Sequence, residues 1–402
     1  MKIALTTIGS RGDIQPYIAL GIALKSNDHS VTILTHPWAE KIINSYELSF
    51  LSVGENIDIN FIAKQFVENS ATNLKGLKFA LNFIFDNLRK CHFDLLSKLK
   101  DFDLIIGHGI VGNAEADMLN KPFITVSIET MGLQKEYWKS INIFKELCIF
   151  LSDKLTGAIF GKPYRKFREE IGASPIGNNK KHRYLALVPI SNIIQKSNPN
   201  WKKLTEITGF FFADTPNDFK PDKSLQNFIN KGEKPILITF GSMHHKQTQS
   251  VNLYNIICES LTKSQSRALL IMPDLDIKKI TIPENVFIIN QIPYSWLLNQ
   301  VSMVIHHFGF GTTAEVLKAG LPSIPIPHIF DQKIRSNQIY TLGYATKPLN
   351  LKNFNSKILS NAILKVKSDK NLQVRCKELG IKISNEKGTD KAVELINKHF
   401  NY

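Results

Sequence analysis

Two α/β lobes, each built on a parallel sheet, are what this sequence predicts, and three observations predict it. At 402 residues the chain is too long for one ordinary core and suits two of about 200 residues each. Short apolar runs alternate with helix-like patterns from the start, and the alternation restarts at Lys234. Between these stretches, Asp214 to Lys223 is rich in proline and charge, as an exposed connection is. The expected division is a first lobe over 1–215, a linker over 216–233, a second lobe over 234–385 and a terminal segment over 386–402.

Ile3 to Ile8 is a short apolar run that stops at Gly9 with no small-residue cleavage site. It reads as a buried first strand rather than a secretory signal. Ile14 to Leu24 has apolar residues spaced by three and four, with Pro16 where a first helical turn tolerates it. Val31 to Thr35 completes a βαβ unit, and Asp103 to Gly107 and Pro122 to Ile128 read as further parallel strands. In the second lobe the pattern predicts strands at Pro235 to Phe240, Arg267 to Met272, Val286 to Asn290 and Met303 to His306. A helix is expected over Gln247 to Lys263. In open sheets of this kind ligands lie beyond the carboxyl ends of the strands, which is where functional residues are expected.

With 43% hydrophobic and 21% charged residues and no low-complexity tract, the composition excludes a disordered or fibrous chain. Cys91, Cys148, Cys258 and Cys376 form no C-x-x-C pair, so neither a zinc site nor a disulfide framework is suggested and a cytoplasmic location is expected. No apolar run reaches the roughly 18 residues of a membrane span. The nearest, Ile141 to Phe160, is broken by Lys145, Glu146, Asp153 and Lys154. The formal charge of +15 suits an anionic small ligand, a nucleic acid or an anionic lipid surface, and does not choose among them.

The densest chemistry lies from Ile305 to Leu317, where a strand leads through Phe308-Gly309-Phe310-Gly311 into a helix. Gly309 and Gly311 let a phosphate approach the backbone, and the first-turn N–H groups with the helix dipole can hold it. Thr312 and Thr313 add hydroxyls. These residues alone equally suit an ordinary βα turn with threonine caps. After the helix, Gly320 to Pro327 reads as another strand, followed by Asp331-Gln332, a carboxylate and an amide able to bind sugar hydroxyls.

Together these segments resemble the donor signature of the nucleotide-sugar glycosyltransferases of the GT-B kind. In its plant form, His-x-Gly-x-x-Ser is followed by a glutamate eight residues after the histidine and by Asp-Gln or Glu-Gln ending 25 residues after it. Here Glu315 and Gln332 stand at those intervals from His307. The resemblance implies the GT-B fold, two Rossmann-like lobes facing a central cleft, with the helix from Thr389 to Phe400 crossing back to the N-terminal lobe. It implies that His307 and Thr312 bind a diphosphate, Glu315 the ribose hydroxyls, and Asp331 with Gln332 the sugar. Bacterial and sterol relatives read His-His-Gly-Gly-Ala-Gly-Thr-Thr where this chain has Phe308 and Phe310, which are expected to pack behind the turn. Asn290 to Leu297 resembles the Gln-Val-Pro-x-x-Trp-Leu segment of the sterol and antibiotic branch, which puts the nucleobase near the backbone of Ile292 and makes Trp296 a core residue.

In the first lobe, Asp13 follows the first strand in Gly9-Ser10-Arg11-Gly12-Asp13-Ile14-Gln15-Pro16. It reads either as part of a helix N-terminal cap or as a general base toward an acceptor hydroxyl. The stretch resembles the Gly-Ser-x-Gly-Asp-x-x-Pro opening of the same branch, which implies that Asp13 is the base and that Ser10, Arg11 and Gly12 lie at the donor. Lys234 to Met243 also resembles the family and makes Ser242 a donor contact. His244-His245 and His306-His307 have no third ligand at metal spacing, so no metal is expected.

The implied activity is inverting transfer of a hexose, glucose from UDP-glucose, to a hydroxyl of an apolar acceptor such as a sterol, lipid or polyketide. The aromatic residues Phe61, Phe66, Phe79, Phe83, Phe85, Phe93, Tyr137, Trp138, Phe144 and Phe150 stand where the family forms its acceptor pocket; helical spacing also fits core for Phe79 and Phe83. Lys154 to Arg183 carries eight cationic residues against two acidic ones. It reads as a solvated face, or as an amphipathic helix docked on anionic lipid at the inner face of a membrane. Neither a nucleic acid nor an obligate protein partner is expected. Two rivals stand beside transfer: a nucleotide-sugar epimerase and a nucleotide-sugar-binding protein without turnover.

Overall fold

The computed structural model describes residues 1–58, 74–128, 161–174, 185–197, 204–216, 219–241, 247–273, 275–290 and 292–400. The chain divides into two units, one of Met1–Ile57, Lys78–Phe212 and Lys387–Tyr402, the other of Asp58–Leu77 and Ala213–Glu386.

In the first unit, β1 (Lys2–Thr6), α1 (Arg11–Lys25), β2 (Ser30–Thr35), α2 (Glu40–Asn44), β3 (Ser49–Ser52) and, from Lys78 onward, α3 (Leu74–Lys98) are followed by β4 (Leu104–His108), α4 (Asn113–Met118), β5 (Phe123–Val126), α5 (Lys162–Glu170), β6 (Leu185–Val188) and β7 (Thr205–Ile207). The strands form one parallel sheet in the order β3-β2-β1-β4-β5-β6-β7. Ile3, Ala4 and Leu5 are all fully buried although successive side chains point to opposite faces, because both faces of a parallel sheet are covered. Along α3, Phe85, Leu88 and Leu95 fall at helical spacing, and together with Leu99 just beyond its end they pack with Val53, Ile105, Phe123 and Phe167. Strand order reverses between β1 and β4, a topological switch point.

Helix α5 answers part of the membrane question. Its apolar residues Tyr164 and Phe167 are buried against Phe85, so its apolar face is already covered by protein. Lys162, Arg165, Lys166, Glu169 and Glu170 face outward, three cations against two anions. Of the two readings of this stretch, the solvated face is the one that the described residues 161–174 fit, since their apolar side chains pack on protein; the rest of the 154–183 stretch lies outside the described residues. Among the described residues no helix is long and apolar enough to cross a membrane.

In the second unit, α6 (Lys223–Asn230), β8 (Ile236–Thr239), α7 (Gln247–Lys263), β9 (Ala268–Ile271), β10 (Val286–Ile288) and α8 (Tyr294–Leu297) precede β11 (Val304–His306), α9 (Phe310–Lys318), β12 (Ser323–Pro325), α10 (Phe330–Thr341), α11 (Ser356–Ser368) and α12 (Lys370–Ser384). The parallel sheet has the order β10-β9-β8-β11-β12, with its switch point between β8 and β11. The stretch expected as linker holds α6. Asp222 caps it by accepting from the Ser224 backbone N–H at 2.7 Å, and Leu225, Phe228 and Ile229 enter the core beside Leu237 and Leu269.

The terminal helix α13 (Gly388–Phe400) belongs to the first unit and packs on α1. Ala392, Val393 and Ile396 are buried, the Asn397 side-chain oxygen lies 3.0 Å from His29 Nε2, and Lys391 Nζ donates to the Ile207 carbonyl at 2.6 Å. The crossing back to the N-terminal part of the chain is present.

Candidate functional site

Each switch point carries the residues expected to do chemistry. In the first unit, Asp13 opens α1 after β1, and His108 ends the neighbouring strand β4. One carboxylate oxygen of Asp13 accepts from the Ser10 backbone N–H at 2.7 Å and from Ser10 Oγ at 2.9 Å. The capping reading of Asp13 is thus realised, and Ser10 spends its hydroxyl on Asp13. Gly9 makes this possible: its φ is +148°, and a Cβ there would lie 2.3 Å from that carboxylate oxygen. Asp13 and Arg11 remain partly accessible and Gly12 is exposed.

His108 escaped the sequence reading. Thr7 Oγ1 bridges toward it, donating to the Asp13 carbonyl at 3.2 Å and lying 3.5 Å from His108 Nδ1, while Tyr17 packs on the ring at 5.9 Å. Burial lowers the His108 pKa, and the negative charge of Asp13 opposes that shift. The signal available was its position at the carboxyl end of a strand beside the switch point.

In the second unit, His307 follows β11 and the turn Phe308-Gly309 leads into α9, whose N-cap is Gly309. His307 is buried, and its imidazole is walled by two glycines. A Cβ on Gly309 would lie 2.4 Å from His307 Nε2, and one on Gly241, φ +61°, would lie 2.6 Å from Cε1. Gly241 follows β8, so both sides of the second switch point shape one histidine. Burial, reinforced by the electrostatics of neighbouring His306 and Arg335, holds the His307 pKa down at about 3. A neutral imidazole can serve a diphosphate as a hydrogen-bond donor, not as a counter-charge.

Phe308 has φ +67°, the left-handed region, and only 1% of its surface is exposed. Its ring stacks on His306 at 4.2 Å, and its N–H donates to His306 Nδ1 at 3.2 Å, which fixes the neutral tautomer of that residue. Arg335, one turn beyond Asp331, donates from Nη1 to the Phe308 carbonyl at 2.8 Å and lies 3.3 Å from Asp331 Oδ2. Sequence reasoning missed Arg335, whose only signal was the four-residue interval to Asp331 on a helix.

Thr312 is partly buried in the first turn of α9. Thr313 differs from expectation: its hydroxyl donates to the Gly309 carbonyl at 2.8 Å inside the helix and is not presented to a ligand. Glu315 sits one turn further, and burial raises its carboxyl to about 7, with Lys318 opposing the rise and Asp214 adding to it. The side-chain oxygen of Gln332 accepts from the backbone N–H groups of His328 and Ile329 at 2.8 and 3.2 Å, so what Gln332 can offer a sugar is its amide NH2. Ile292 and Trp296 pack against the core beneath β10 and β11, and Trp296 meets Phe219 at 5.6 Å.

Ser242, His244 and His245 lie outside the described residues, as do Phe61, Phe66, Tyr137, Trp138, Phe144 and Phe150. Of the remaining aromatic residues on α3, Phe85 is core, Phe79 and Phe83 are half-buried, and Phe93 is 79% exposed. Among the described residues no cluster of three metal-ligating side chains occurs.

Residues 3–93 match the glycosyltransferase family 28 N-terminal domain, and residues 268–395 match the erythromycin biosynthesis protein CIII-like C-terminal domain. The chain is 28% identical to the sterol 3-beta-glucosyltransferase of Saccharomyces cerevisiae (strain YJM789) over 431 aligned positions, 100% of this chain and 35% of that protein. It thus spans about a third of that relative's length. It is 24% identical to the O-mycaminosyltylonolide 6-deoxyallosyltransferase of Streptomyces fradiae over 98% of this chain and 97% of that protein. Among solved structures, the glycosyltransferase VinC in complex with dTDP superposes with a TM-score of 0.70 at 16% identity over 100% of both chains. The SsfS6 glycosyltransferase of Streptomyces sp. SF2575 superposes with a TM-score of 0.68 at 15% identity over 99% of both chains. Two parallel switch-point sheets, the returning terminal helix and matches at both ends of the chain converge: the protein belongs to the GT-B glycosyltransferases and is related to the sterol glucosyltransferases and the antibiotic glycosyltransferases.

Proposed function

We propose that this chain transfers a hexose, glucose from UDP-glucose, to a hydroxyl of an apolar acceptor of the sterol, lipid or polyketide kind, with inversion at the anomeric carbon. The observation that carries the reading is the convergence, in one α/β unit, of His307 and the α9 N-terminus after β11 with Asp331 and Gln332 after the adjacent strand β12. In this reading His307 and the first-turn N–H groups of α9 hold the diphosphate and stabilise it as it departs, Ser242 adds a contact, and Thr312 supplies a hydroxyl. Glu315 takes the ribose hydroxyls, Asp331 and Gln332 the sugar, and the backbone at Ile292 the base. Asp13, with Ser10, Arg11 and Gly12 around it, accepts the acceptor's proton as its oxygen attacks the anomeric carbon; His108 stands beside Asp13 as a second proton-accepting group. The leaving diphosphate takes the bonding electrons, so the scheme balances without a metal.

A thymidine nucleotide is the second reading for the donor, supported by the solved relatives VinC and SsfS6 in complex with thymidine diphosphate. The test is incubation of the chain with UDP- and dTDP-sugars and a panel of apolar alcohols, read by mass spectrometry. Glycoside formation is expected; sugar inversion without acceptor would point to an epimerase, and binding without turnover to a silent receptor. Asp13→Asn keeps an acceptor oxygen for Ser10, so it should leave the melting temperature nearly unchanged while lowering turnover about 10²- to 10⁴-fold. Full activity in that variant would remove Asp13 from the role of base.

A further inference from the structure

We propose that Arg335 is a positioning residue of the donor site, tying the diphosphate turn to the sugar-binding carboxylate and so setting how strongly a sugar nucleotide is preferred over the bare diphosphate. The inference rests on the reading of the 306–332 segment as the donor cradle.

One guanidinium reaches three parts of that cradle. Nη1 donates to the Phe308 carbonyl at 2.8 Å and lies 3.3 Å from Asp331 Oδ2, and Cζ lies 5.5 Å from the centroid of the Phe310 ring. The side chain is only 13% exposed, so these contacts are made largely out of water. Each has a consequence for the ligand. The Phe308 carbonyl belongs to the peptide that joins the left-handed residue to Gly309, the N-cap of α9. A hydrogen bond to it fixes the plane of that peptide, and with it the direction in which the following first-turn N–H groups point. The contact with Asp331 holds the carboxylate that the sugar hydroxyls are to meet. Both contacts leave from the single nitrogen Nη1, whose two N–H bonds lie in the guanidinium plane, and the Phe310 ring lies beside that plane, so the carbonyl and the carboxylate are held in a fixed relation. A change at either the turn or the carboxylate is therefore transmitted to the other through a single rigid group.

The test is calorimetric titration of the full chain, unmodified and as Arg335→Lys and Arg335→Met, with UDP, UDP-glucose, dTDP and dTDP-glucose, alongside melting temperatures. In the unmodified chain the sugar nucleotide should bind more tightly than its diphosphate. Arg335→Met should bind the diphosphate about tenfold more weakly and also lose most of the preference for the sugar, whereas Arg335→Lys should recover part of both. In a cycle with Asp331→Asn the effects on that preference should be non-additive. Unchanged affinities in Arg335→Met overturn the inference, and so does a uniform loss with the sugar preference intact, which is what general loosening produces. Should Arg335→Met not fold, the preference ratio in Arg335→Lys decides by the same criterion. Failure of the unmodified chain to bind any of the four nucleotides overturns the donor-site reading itself, and is seen before any substitution is made.

Discussion

At Phe308 the backbone holds φ at +67°, a conformation that costs a non-glycine residue about 1 to 2 kcal/mol. The stack on His306, near-complete burial and the Arg335 hydrogen bond offset that cost. Phe308→Ala should therefore destabilise by about 3 to 5 kcal/mol, the usual cost of deleting a buried ring. Phe308→Gly deletes the same ring but relieves the left-handed strain, so it should be the more stable variant by about 1 kcal/mol, the reverse of the order at a helical site. Urea unfolding of the two variants checks this, and an alanine variant as stable as the glycine one would show the positive φ is not maintained. Glu315 makes a pH prediction. Its carboxyl ionises near 4.5 unfolded but about 7 folded, so the folded chain holds the proton more tightly. Its contribution to stability is complete below about 4.5 and is lost as pH rises through about 7. Glu315→Gln should flatten the melting-temperature profile over that window. Because ribose hydroxyls donate to the ionised form, diphosphate affinity should instead rise with pH through about 7, and that rise should vanish in the variant; a pH-independent difference between the two proteins would remove Glu315 from the site. The intervals from His307 to Glu315 and Gln332 were legible only through the resemblance to the donor signature; the structure places Glu315 on α9 and Gln332 on α10, after the adjacent strands β11 and β12. Arg335 was not legible, since its meaning depends on the direction of the Phe308 carbonyl, which depends on a φ that a phenylalanine does not announce.

Helix α5 shows the same division between pattern and placement one level up. Arg168 is buried, donating to the Ser174 carbonyl at 2.7 Å and to Asn113 at 3.0 Å, with Asp117 at 2.5 Å. The basic stretch from Lys154 to Arg183 reads as a surface in sequence, yet one of its cations pins α5 to α4. Arg168→Met should cost about 3 to 5 kcal/mol because it takes a buried guanidinium away from the Asp117 carboxylate, and adding Asp117→Asn should restore part of that loss. Chemical unfolding of the single and double variants measures both; a double variant less stable than the single would show that the pair is not the source of the cost. The strands, by contrast, were readable at this scale. Parallel strands covered on both faces are short runs of Val, Ile and Leu, and β1, β2, β4, β5, β8, β9 and β11 fall within the runs that predicted them, give or take a residue. Helix α6 was missed because proline and charge surround it and because eight residues carry too few apolar positions to set a period.

For the whole molecule, the question is whether the two units answer a ligand together. Each has its own buried cluster, one around Ile105 and Phe167, the other around Ile238 and Ile305, and all the residues proposed to bind the donor diphosphate after β11 lie in the second. A ligand stabilises only the states that bind it. At a concentration of 100 times its dissociation constant, UDP should stabilise the second unit by about 2.7 kcal/mol, which corresponds to about a hundredfold slower exchange of its most protected amides. The chain order makes the pattern diagnostic, because α13 follows α12 directly in sequence but belongs to the first unit. If the units open independently, β8, β9 and β11 should gain that protection while β1, β4 and α13 do not, and the boundary should fall between Glu386 and Lys387. Hydrogen-exchange mass spectrometry of the full chain with and without UDP resolves the cases. Equal gains in both units would mean that they unfold as one cooperative body, and gains confined to the first unit would place the diphosphate away from α9 altogether.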